Sequence, residues 1–285
     1  MRTDESSSAE LEVGYSPCPN DTFIFHALVT GRVASGGFTW RPRIEDVETL
    51  NQWAFTQRLP VTKISFHAYG RIRREYALLR SGAALGRGCG PLVVAREPRV
   101  IDDLTGRRIA IPGHWTSAAL LLRLFCPALP RERLVVLPFD RILEATARGE
   151  VDAGLIIHES RFCYAQRGLV ALVDLGEWWE GETGQPIPLG GIIARRDLGA
   201  AKLRAIEEGL RASVRFARGA PAESAEYVRR HAQELSSDVI AAHIGLYVND
   251  FTEDLGTEGL AAVEGLFRTA EERGILEAYR GPLTA

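Results

Sequence analysis

The sequence has no long hydrophobic run, little net charge and no apolar leader. No window approaches the roughly 18 consecutive apolar residues that a membrane-spanning helix requires. The opening stretch, MRTDESSSAELE, is polar and acidic and has no apolar core of a secretory signal. A formal net charge of −3 provides no general attraction to nucleic acid or to an anionic membrane. We therefore expect a cytoplasmic protein whose partner is a small-molecule substrate, not nucleic acid or a membrane.

Closely spaced cysteines are also missing. Cys18, Cys89, Cys126 and Cys163 form no C-x-x-C pair, so they are interpreted as reduced thiols rather than a zinc site or a disulfide framework. Pairing between distant cysteines in the folded chain stays open. The sequence contains no G-x-S-x-G, P-loop or H-E-x-x-H motif. The glycines between residues 82 and 90 precede a strand instead of following one, which excludes a dinucleotide-binding fingerprint.

Apolar strands and amphipathic helices alternate through most of the chain. A length of 285 residues with 46% apolar and 25% charged residues is typical of one large globular domain or two smaller ones. Residues 1–10 are predicted to be a disordered tail. A further element is then expected at each of the following ranges: strands at 11–15, 38–44, 76–79, 91–95, 108–112, 134–138, 151–157, 168–175 and 191–195, a strand running into a helix at 61–69, and helices at 23–29, 46–54, 118–125, 140–148, 200–218, 221–231, 238–248 and 260–280.

This order predicts an α/β fold with two lobes and a ligand cleft between them. The larger lobe is expected to comprise residues 1–95 and 195–285, with a helical C-terminal part, and the smaller inserted lobe residues 96–194. Residues 91–96 and 191–196 are similar glycine- or proline-led strands ending in Ala-Arg, which suggests two matched strands connecting the lobes. Such an architecture is typical of type II periplasmic-binding-protein-like folds, and ligands favour the cleft between lobes.

His158 is the leading candidate for catalysis. It follows the apolar run AGLII at residues 153–157, and ligands bind outside the carboxyl ends of strands in open α/β sheets. An imidazole there is suited to act as a general base. The alternative is a histidine that caps the strand end for structural reasons. Glu159 is not expected to orient the imidazole, because adjacent residues on an extended chain point apart.

Three further groups are candidates for substrate binding. Thr116, Ser117 and Ala118 open a helix, where hydroxyls and free N–H groups hold anions, although plain helix capping explains the same residues. Lys63, Ile64 and Ser65 end a strand, and the lysine is able to neutralise a ligand charge. Asn20 and Thr22 belong to a polar loop leading into a helix and are equally suited to capping. The Trp178-Trp179 pair is interpreted as packing.

Four motifs together resemble one enzyme family. They are SPCPNDTF at residues 16–23, EDVETLN at 45–51, GRGCGPLV at 86–93 and GLIIHESRF at 154–162. On these motifs the chain, from about residue 11 onward, resembles the 1,4-dihydroxy-6-naphthoate synthases of the futalosine route to menaquinone.

The resemblance implies a lyase that converts cyclic de-hypoxanthine futalosine to 1,4-dihydroxy-6-naphthoate without a metal or a redox cofactor. It makes His158 the general base and places substrate contacts at residues 63–65 and at Ser117 and Ala118. Where the family often has Thr-Thr, this chain has Thr116-Ser117, which keeps a hydroxyl. Glu159, Ser160 and Arg161 are then expected to hold the loop in shape.

Two other functions are compatible with the same fold. A solute-binding protein without chemistry is the first, but such proteins are normally exported. A chorismate dehydratase of the same pathway is the second, and it is disfavoured because the His158 motif belongs to the synthases. The oligomeric state is left open.

Overall fold

Two mixed β-sheets, each covered by helices, make up the protein. The computed structural model describes residues 9–99, 101–232 and 236–285. The first sheet contains β1 (Ala9–Tyr15), β2 (Phe38–Ile44), β3 (Val61–Ser65), β4 (Tyr76–Leu78), β5 (Ala84–Gly86) and β11 (Ile187–Arg195). The second sheet contains β6 (Leu92–Ala95), β7 (Ile109–Ile111), β8 (Leu134–Val136), β9 (Ala153–Ile156) and β10 (Val170–Asp174).

The strand order explains why both sheets are mixed. The first sheet runs β2-β1-β3-β11-β4, with β5 also paired to β11, and the second runs β10-β6-β9-β7-β8. In the first sheet β1, β2 and β3 are parallel and β11 is antiparallel to its neighbours. In the second, β7, β8 and β9 are parallel and β6 is antiparallel to β9 and β10. The chain passes from one sheet to the other twice, and we call these two connections the crossovers. The antiparallel strands β6 and β11 are the first strands after them.

The lobe boundaries, which lie at the two crossovers, differ from the expected ones by several residues. Strand β6 falls within residues 1–95, the expected first lobe, but hydrogen-bonds within the second sheet. Most of β11 falls within residues 96–194, the expected inserted lobe, but lies in the first sheet. The chain therefore changes sheet within residues 87–91 and again between β10 and β11. The apolar character of these two strands suits either sheet, so strand pairing, and not local composition, decides their membership.

Eleven α-helices are present in the described part of the chain: α1 (Pro19–Val29), α2 (Val47–Phe55), α3 (Phe66–Tyr69), α4 (Ser117–Phe125), α5 (Phe139–Ala147), α6 (Leu175–Thr183), α7 (Ala200–Gly219), α8 (Pro221–His231), α9 (Ser237–Tyr247), α10 (Asp250–Glu253) and α11 (Gly256–Glu272). The described residues from α7 to the end of α11 are largely helical, as expected for the C-terminal part. Helix α7 buries Leu203, Ile206, Leu210 and Val214 at the predicted helical spacing.

Several predicted boundaries are wrong. Ala9 and Glu10 lie in β1 and not in a tail, and residues 1–8 lie outside the described residues. Helix α1 begins at Pro19 instead of residue 23, because Cys18 takes the extended N-cap conformation and proline suits the first helical position. Helix α11 stops at Glu272, not 280, where Gly274 adopts a φ of 68°. Residues 175–183, not predicted as helical, form α6 because Asp174 caps its N-terminus.

Buried side chains form a core that continues across both sheets. One cluster joins Ile64 and Phe267 of the first lobe to Leu120 and Leu155 of the second. Trp179 is buried in this cluster, which agrees with the packing interpretation of the tryptophan pair. The carboxyl ends of β1 and β3 in one sheet and of β7 and β9 in the other meet at the cleft above this core.

Candidate active site

A cleft between the lobes is lined by residues that follow these four strand ends. Its empty volume is about 640 Å³, including its mouth. The lining residues are Ser16, Asn20, Asp21, Val47, Lys63, Ile64, Ser65, Ala84, Cys89, Pro91, Thr116, Ser117, Ala118, Ile157, His158, Leu189, Gly190 and Tyr247. Apolar surface predominates, with a few polar groups among it, as is usual for small-molecule sites.

The fold brings together eight of the nine residues predicted to form the site. His158, Asn20, the 63–65 segment and the 116–118 segment all line the cleft. Thr22 does not. Its hydroxyl donates to the carbonyl oxygens of Cys18, at 3.1 Å, and Pro19, at 3.3 Å, within its own helix. Because α1 begins earlier than predicted, Thr22 lies inside the helix and satisfies its hydroxyl there.

Asp21 is the most consequential residue that the sequence reasoning missed. Its carboxylate lies 2.9 Å from the ammonium of Lys63, and both side chains are almost fully buried, at 3% and 6% exposed. The carboxylate also accepts hydrogen bonds from the amide and hydroxyl of Ser16 and from the side chain of Asn20. The Lys63 ammonium donates in addition to the carbonyl of Gly82. The charge of Lys63 is therefore already balanced by Asp21 rather than available to a substrate.

Ser65 is held in place by a side chain of the second motif. Asn51, on α2, accepts from the Ser65 amide at 2.9 Å and lies 3.1 Å from the Ser65 hydroxyl through its own amide nitrogen. Asn51 is fully buried. Asn51, in the 45–51 motif, thus helps to position the end of β3 at the cleft.

The start of α4 presents free donors to the cleft. Thr116 caps the helix, as predicted, and its hydroxyl accepts from the amide of Ala119. No hydrogen bond within the described residues engages the backbone amides of Ser117 and Ala118, the orphan donors of a helix N-terminus. The Ser117 hydroxyl reaches across the cleft to the carbonyl of Leu189 in the other lobe. The arrangement can hold a carboxylate.

His158 lies at the strand end in an unusual backbone conformation. Its φ is 55°, and only one other non-glycine residue in the described chain, Gln57, has a positive φ. Left-handed backbone at a bulky residue costs free energy and is concentrated at functional sites. The imidazole packs edge-on against Phe139, with centroids 5.0 Å apart, and stacks on His243 at 6.1 Å.

Burial keeps this imidazole uncharged. It lowers the pKa of His158 to about 4, while the nearby Asp21 carboxylate raises the pKa and the Lys63 ammonium lowers it. Nε2 is buried and has no hydrogen-bond partner. An imidazole that is neutral at pH 7 and has an unpartnered ring nitrogen is able to accept a proton from a molecule in the cleft.

His243, on α9, connects the far side of the site to this network. Its Nε2 lies 2.9 Å from the side-chain oxygen of Asn20, and burial holds the pKa of His243 well below its usual range. Glu159 faces Nδ1 of His243, 3.9 Å away. Sequence spacing offered no signal for His243, which lies 223 residues from Asn20.

The loop after His158 is anchored by Arg161. Its guanidinium donates to the carbonyl of Gly90 in the crossover segment and to the carboxylate of Asp174, the N-cap of α6. This contact matches the expected shape-holding role. Of the cysteines, Cys89 lines the cleft, while Cys18 and Cys163 do not. Within residues 9–99, 101–232 and 236–285, no cluster of three or more His, Cys, Asp or Glu residues is arranged to hold a metal ion.

Similarity to solved structures supports the two-lobed fold. A crystal structure of a protein from Archaeoglobus fulgidus matches with a TM-score of 0.88 and 36% identity, covering 96% of this chain and all of that one. The alkanesulfonate-binding protein SsuA from Xanthomonas axonopodis matches with a TM-score of 0.71 over 95% of each chain. At 16% identity the second match shows the fold alone. The predicted periplasmic-binding-protein-like fold is confirmed.

Curated relatives are much closer in sequence. The protein named 1,4-dihydroxy-6-naphthoate synthase from Thermus thermophilus is 55% identical, over 96% of this chain and 98% of its own. The protein of the same name from Streptomyces coelicolor is 47% identical, over 97% and 98%. A family model described as menaquinone biosynthesis matches residues 11–272. The chain therefore belongs to the menaquinone-biosynthesis enzyme family that includes the proteins named 1,4-dihydroxy-6-naphthoate synthase.

Proposed function

We propose that this protein is a lyase that converts cyclic de-hypoxanthine futalosine to 1,4-dihydroxy-6-naphthoate, with His158 as the general base. The observation that carries the proposal is the His158 imidazole, which lines the cleft with a buried, unpartnered Nε2. The names of the two curated relatives support the reaction. The low pKa of His158 supports a base that is already deprotonated at neutral pH.

The reaction requires the protein to transfer one proton and to orient the substrate. Removal of a proton from the spiro substrate lets the electron pair enter the ring system as the bond to the sugar-derived part breaks. The naphthoate becomes aromatic, and the proton held by His158 is available to the departing fragment. A positioned base contributes a factor of roughly 10²–10⁴ in rate. Exclusion of water when the lobes close over the substrate contributes further.

The start of α4 is the proposed anchor for the substrate carboxylate. The free amides of Ser117 and Ala118 lie at the N-terminus of α4, where backbone N–H groups point out of the helix and the helix dipole favours an anion. Lys63, the alternative anchor, is instead paired with Asp21. In this proposal Lys63 and Ser65 hold neutral oxygen atoms of the substrate, and the 63–65 segment defines the opposite wall.

Replacement of His158 by asparagine tests the proposal. The variant should fold and bind the substrate, but its kcat should fall by about 10²–10⁴ because the base is lost. Product would be measured by chromatography after mixing purified protein with cyclic de-hypoxanthine futalosine. His231→Asn, which removes an imidazole at the end of α8 and outside the cleft, is the matched control and should keep the wild-type rate.

Two results would overturn parts of the proposal separately. A wild-type rate in His158→Asn contradicts the role of His158 but leaves the reaction standing. Wild-type protein that yields no 1,4-dihydroxy-6-naphthoate, yet binds the substrate, contradicts the lyase assignment and favours a binding protein. A parallel incubation with chorismate distinguishes the dehydratase activity.

A further inference from the structure

A second pocket, which shares no lining residue with the cleft, concentrates positive charge. Four arginines line it together with His114 and Trp115, and its other lining residues are apolar. The arginines are Arg71, Arg123, Arg131 and Arg273. No aspartate or glutamate is among the described residues that line it. We call this group the arginine pocket.

Both lobes contribute to the arginine pocket. Arg71 follows α3, and Arg273 is the C-cap residue of α11, so both belong to the first lobe. Arg123 lies in the last turn of α4, and Arg131 begins a short 3-10 turn before β8, so both belong to the second lobe. The charges therefore meet at a lobe boundary.

These four guanidinium groups lack the carboxylate partners that several other arginines of the described chain have. Arg73, two residues after Arg71, is paired with Glu271 at 2.8 Å, and Arg211 is paired with Glu207 and Asp254. Within the described part of the chain, no carboxylate lies within 4.0 Å of any arginine in the pocket. Among the described residues, none forms an ion pair with these four guanidinium groups.

Trp115 contacts two of the cations. The guanidinium carbons of Arg71 and Arg131 lie 4.9 and 6.0 Å from the centre of its ring, within the range of cation–π attraction. Burial lowers the pKa of Arg123, and the charges of Arg131 and Arg71 lower it further. Repulsion of this kind is relieved when an anion binds among the guanidinium groups.

We propose that the arginine pocket binds a small multivalent oxyanion, a phosphate-bearing or polycarboxylate molecule, independently of the cleft. Planar guanidinium groups bind phosphate and carboxylate oxygens in bidentate fashion, and several converging groups favour more than one negative charge. A ligand held by Arg71 and Arg273 on one side and Arg123 and Arg131 on the other bridges the lobes. Occupancy therefore stabilises their present arrangement.

Binding of tripolyphosphate and of citrate tests the proposal, by titration calorimetry at a constant ionic strength of about 0.15 M. The test variant is the double substitution Arg71→Gln/Arg131→Gln. The control is Arg74→Gln/Arg133→Gln, which removes the same charge from the same loop and the same 3-10 turn but outside the pocket. Wild type and control should bind with equal affinity. The test variant should bind about tenfold or more weakly, because charge-assisted hydrogen bonds are lost.

Thermal unfolding without ligand separates binding from folding. The test variant should unfold within about 2 °C of the wild type, because the relief of repulsion between like charges offsets the loss of two cation–π contacts with Trp115. A single Arg273→Gln variant repeats the binding test with a smaller change in charge. Saturable binding of tripolyphosphate alone identifies a phosphate-bearing ligand, and binding of citrate alone a polycarboxylate. The proposal is overturned if neither probe saturates the wild type. It is equally overturned if test and control variants bind alike.

Discussion

The buried pair of Asp21 and Lys63 provides the sharpest test of how the cleft is stabilised. In Asp21→Asn the Lys63 ammonium keeps only the carbonyl of Gly82 among its two partners. Loss of one member of a buried pair costs about 3–5 kcal/mol, because the remaining charge is left uncompensated. The unfolding entropy of a chain of this length is about 0.6 kcal/mol/K, so we expect the melting temperature to fall by about 5–8 °C.

A double-mutant cycle separates the pair from its surroundings. Lys63→Met removes the cation, but the Asp21 carboxylate keeps three donors from Ser16 and Asn20, so this loss should be smaller. Asp21→Asn/Lys63→Met contains no buried charge at the pair and should be more stable than Asp21→Asn, because replacement of a buried pair by neutral groups is often tolerated. Melting would be followed by circular dichroism at pH 7.

Glu226→Gln is the matched control for this cycle. Glu226 pairs with Arg230 on the surface of α8, where both side chains are mostly exposed, and such pairs contribute little. Its melting temperature should stay within about 1 °C of the wild type. The reasoning is refuted if Asp21→Asn behaves like this control, or if the double variant melts no higher than Asp21→Asn.

Three further predictions concern pH and lobe contact. Because the pKa of His158 is about 4, kcat/KM should stay level from pH 7 to about 5 and fall only near pH 4; a fall centred near 6.5 would contradict the burial argument. The folded-state pKa values of His158 and of His67, about 3, lie below the unfolded value near 6.5. The contribution of these two neutral imidazoles to the free energy of unfolding is therefore fully present above about pH 6.5 and is lost as the pH falls toward 4 and 3. The decrease in melting temperature between pH 7 and pH 4 should be smaller in His158→Asn than in the wild type. In Gly113→Ala the new Cβ would lie 2.3 Å from the Glu48 carboxylate carbon, and the alanine would have to adopt the φ of 158° that Gly113 has. Glu48 would be displaced from the Trp115 amide, from which it accepts at 3.3 Å. We expect the melting temperature to fall and KM to rise about tenfold, whereas an unchanged KM would show that this contact does not support substrate binding.

Local patterns were sufficient for the main parts of the site. An apolar run followed directly by polar residues predicts that His158 lies at the carboxyl end of a strand, and it does lie just after β9. Thr116 was predicted to open a helix, and its hydroxyl does cap α4. These predictions succeed because capping and strand alternation depend on residues within one turn or one pleat of each other.

Local patterns failed where two structures have similar propensity. Polar residues 20–22 are compatible with a loop or with a first helical turn, and the fold selects the turn, which carries Asp21 to Lys63. Strands β6 and β11 are apolar enough to fit either sheet. Only the hydrogen bonds to their neighbouring strands show which sheet each belongs to.

The sequence by itself determined the alternating α/β pattern, the strand-end position of His158 and the capped start of α4. Only the tertiary structure decided that Lys63 is neutralised by Asp21, that His243 stacks on His158, and that the His158 imidazole is buried enough to lower its pKa to about 4. The physical reason is the separation along the chain over which each interaction acts. Backbone preference acts over a few neighbouring residues, whereas burial and charge pairing depend on segments far apart in the chain that packing brings together.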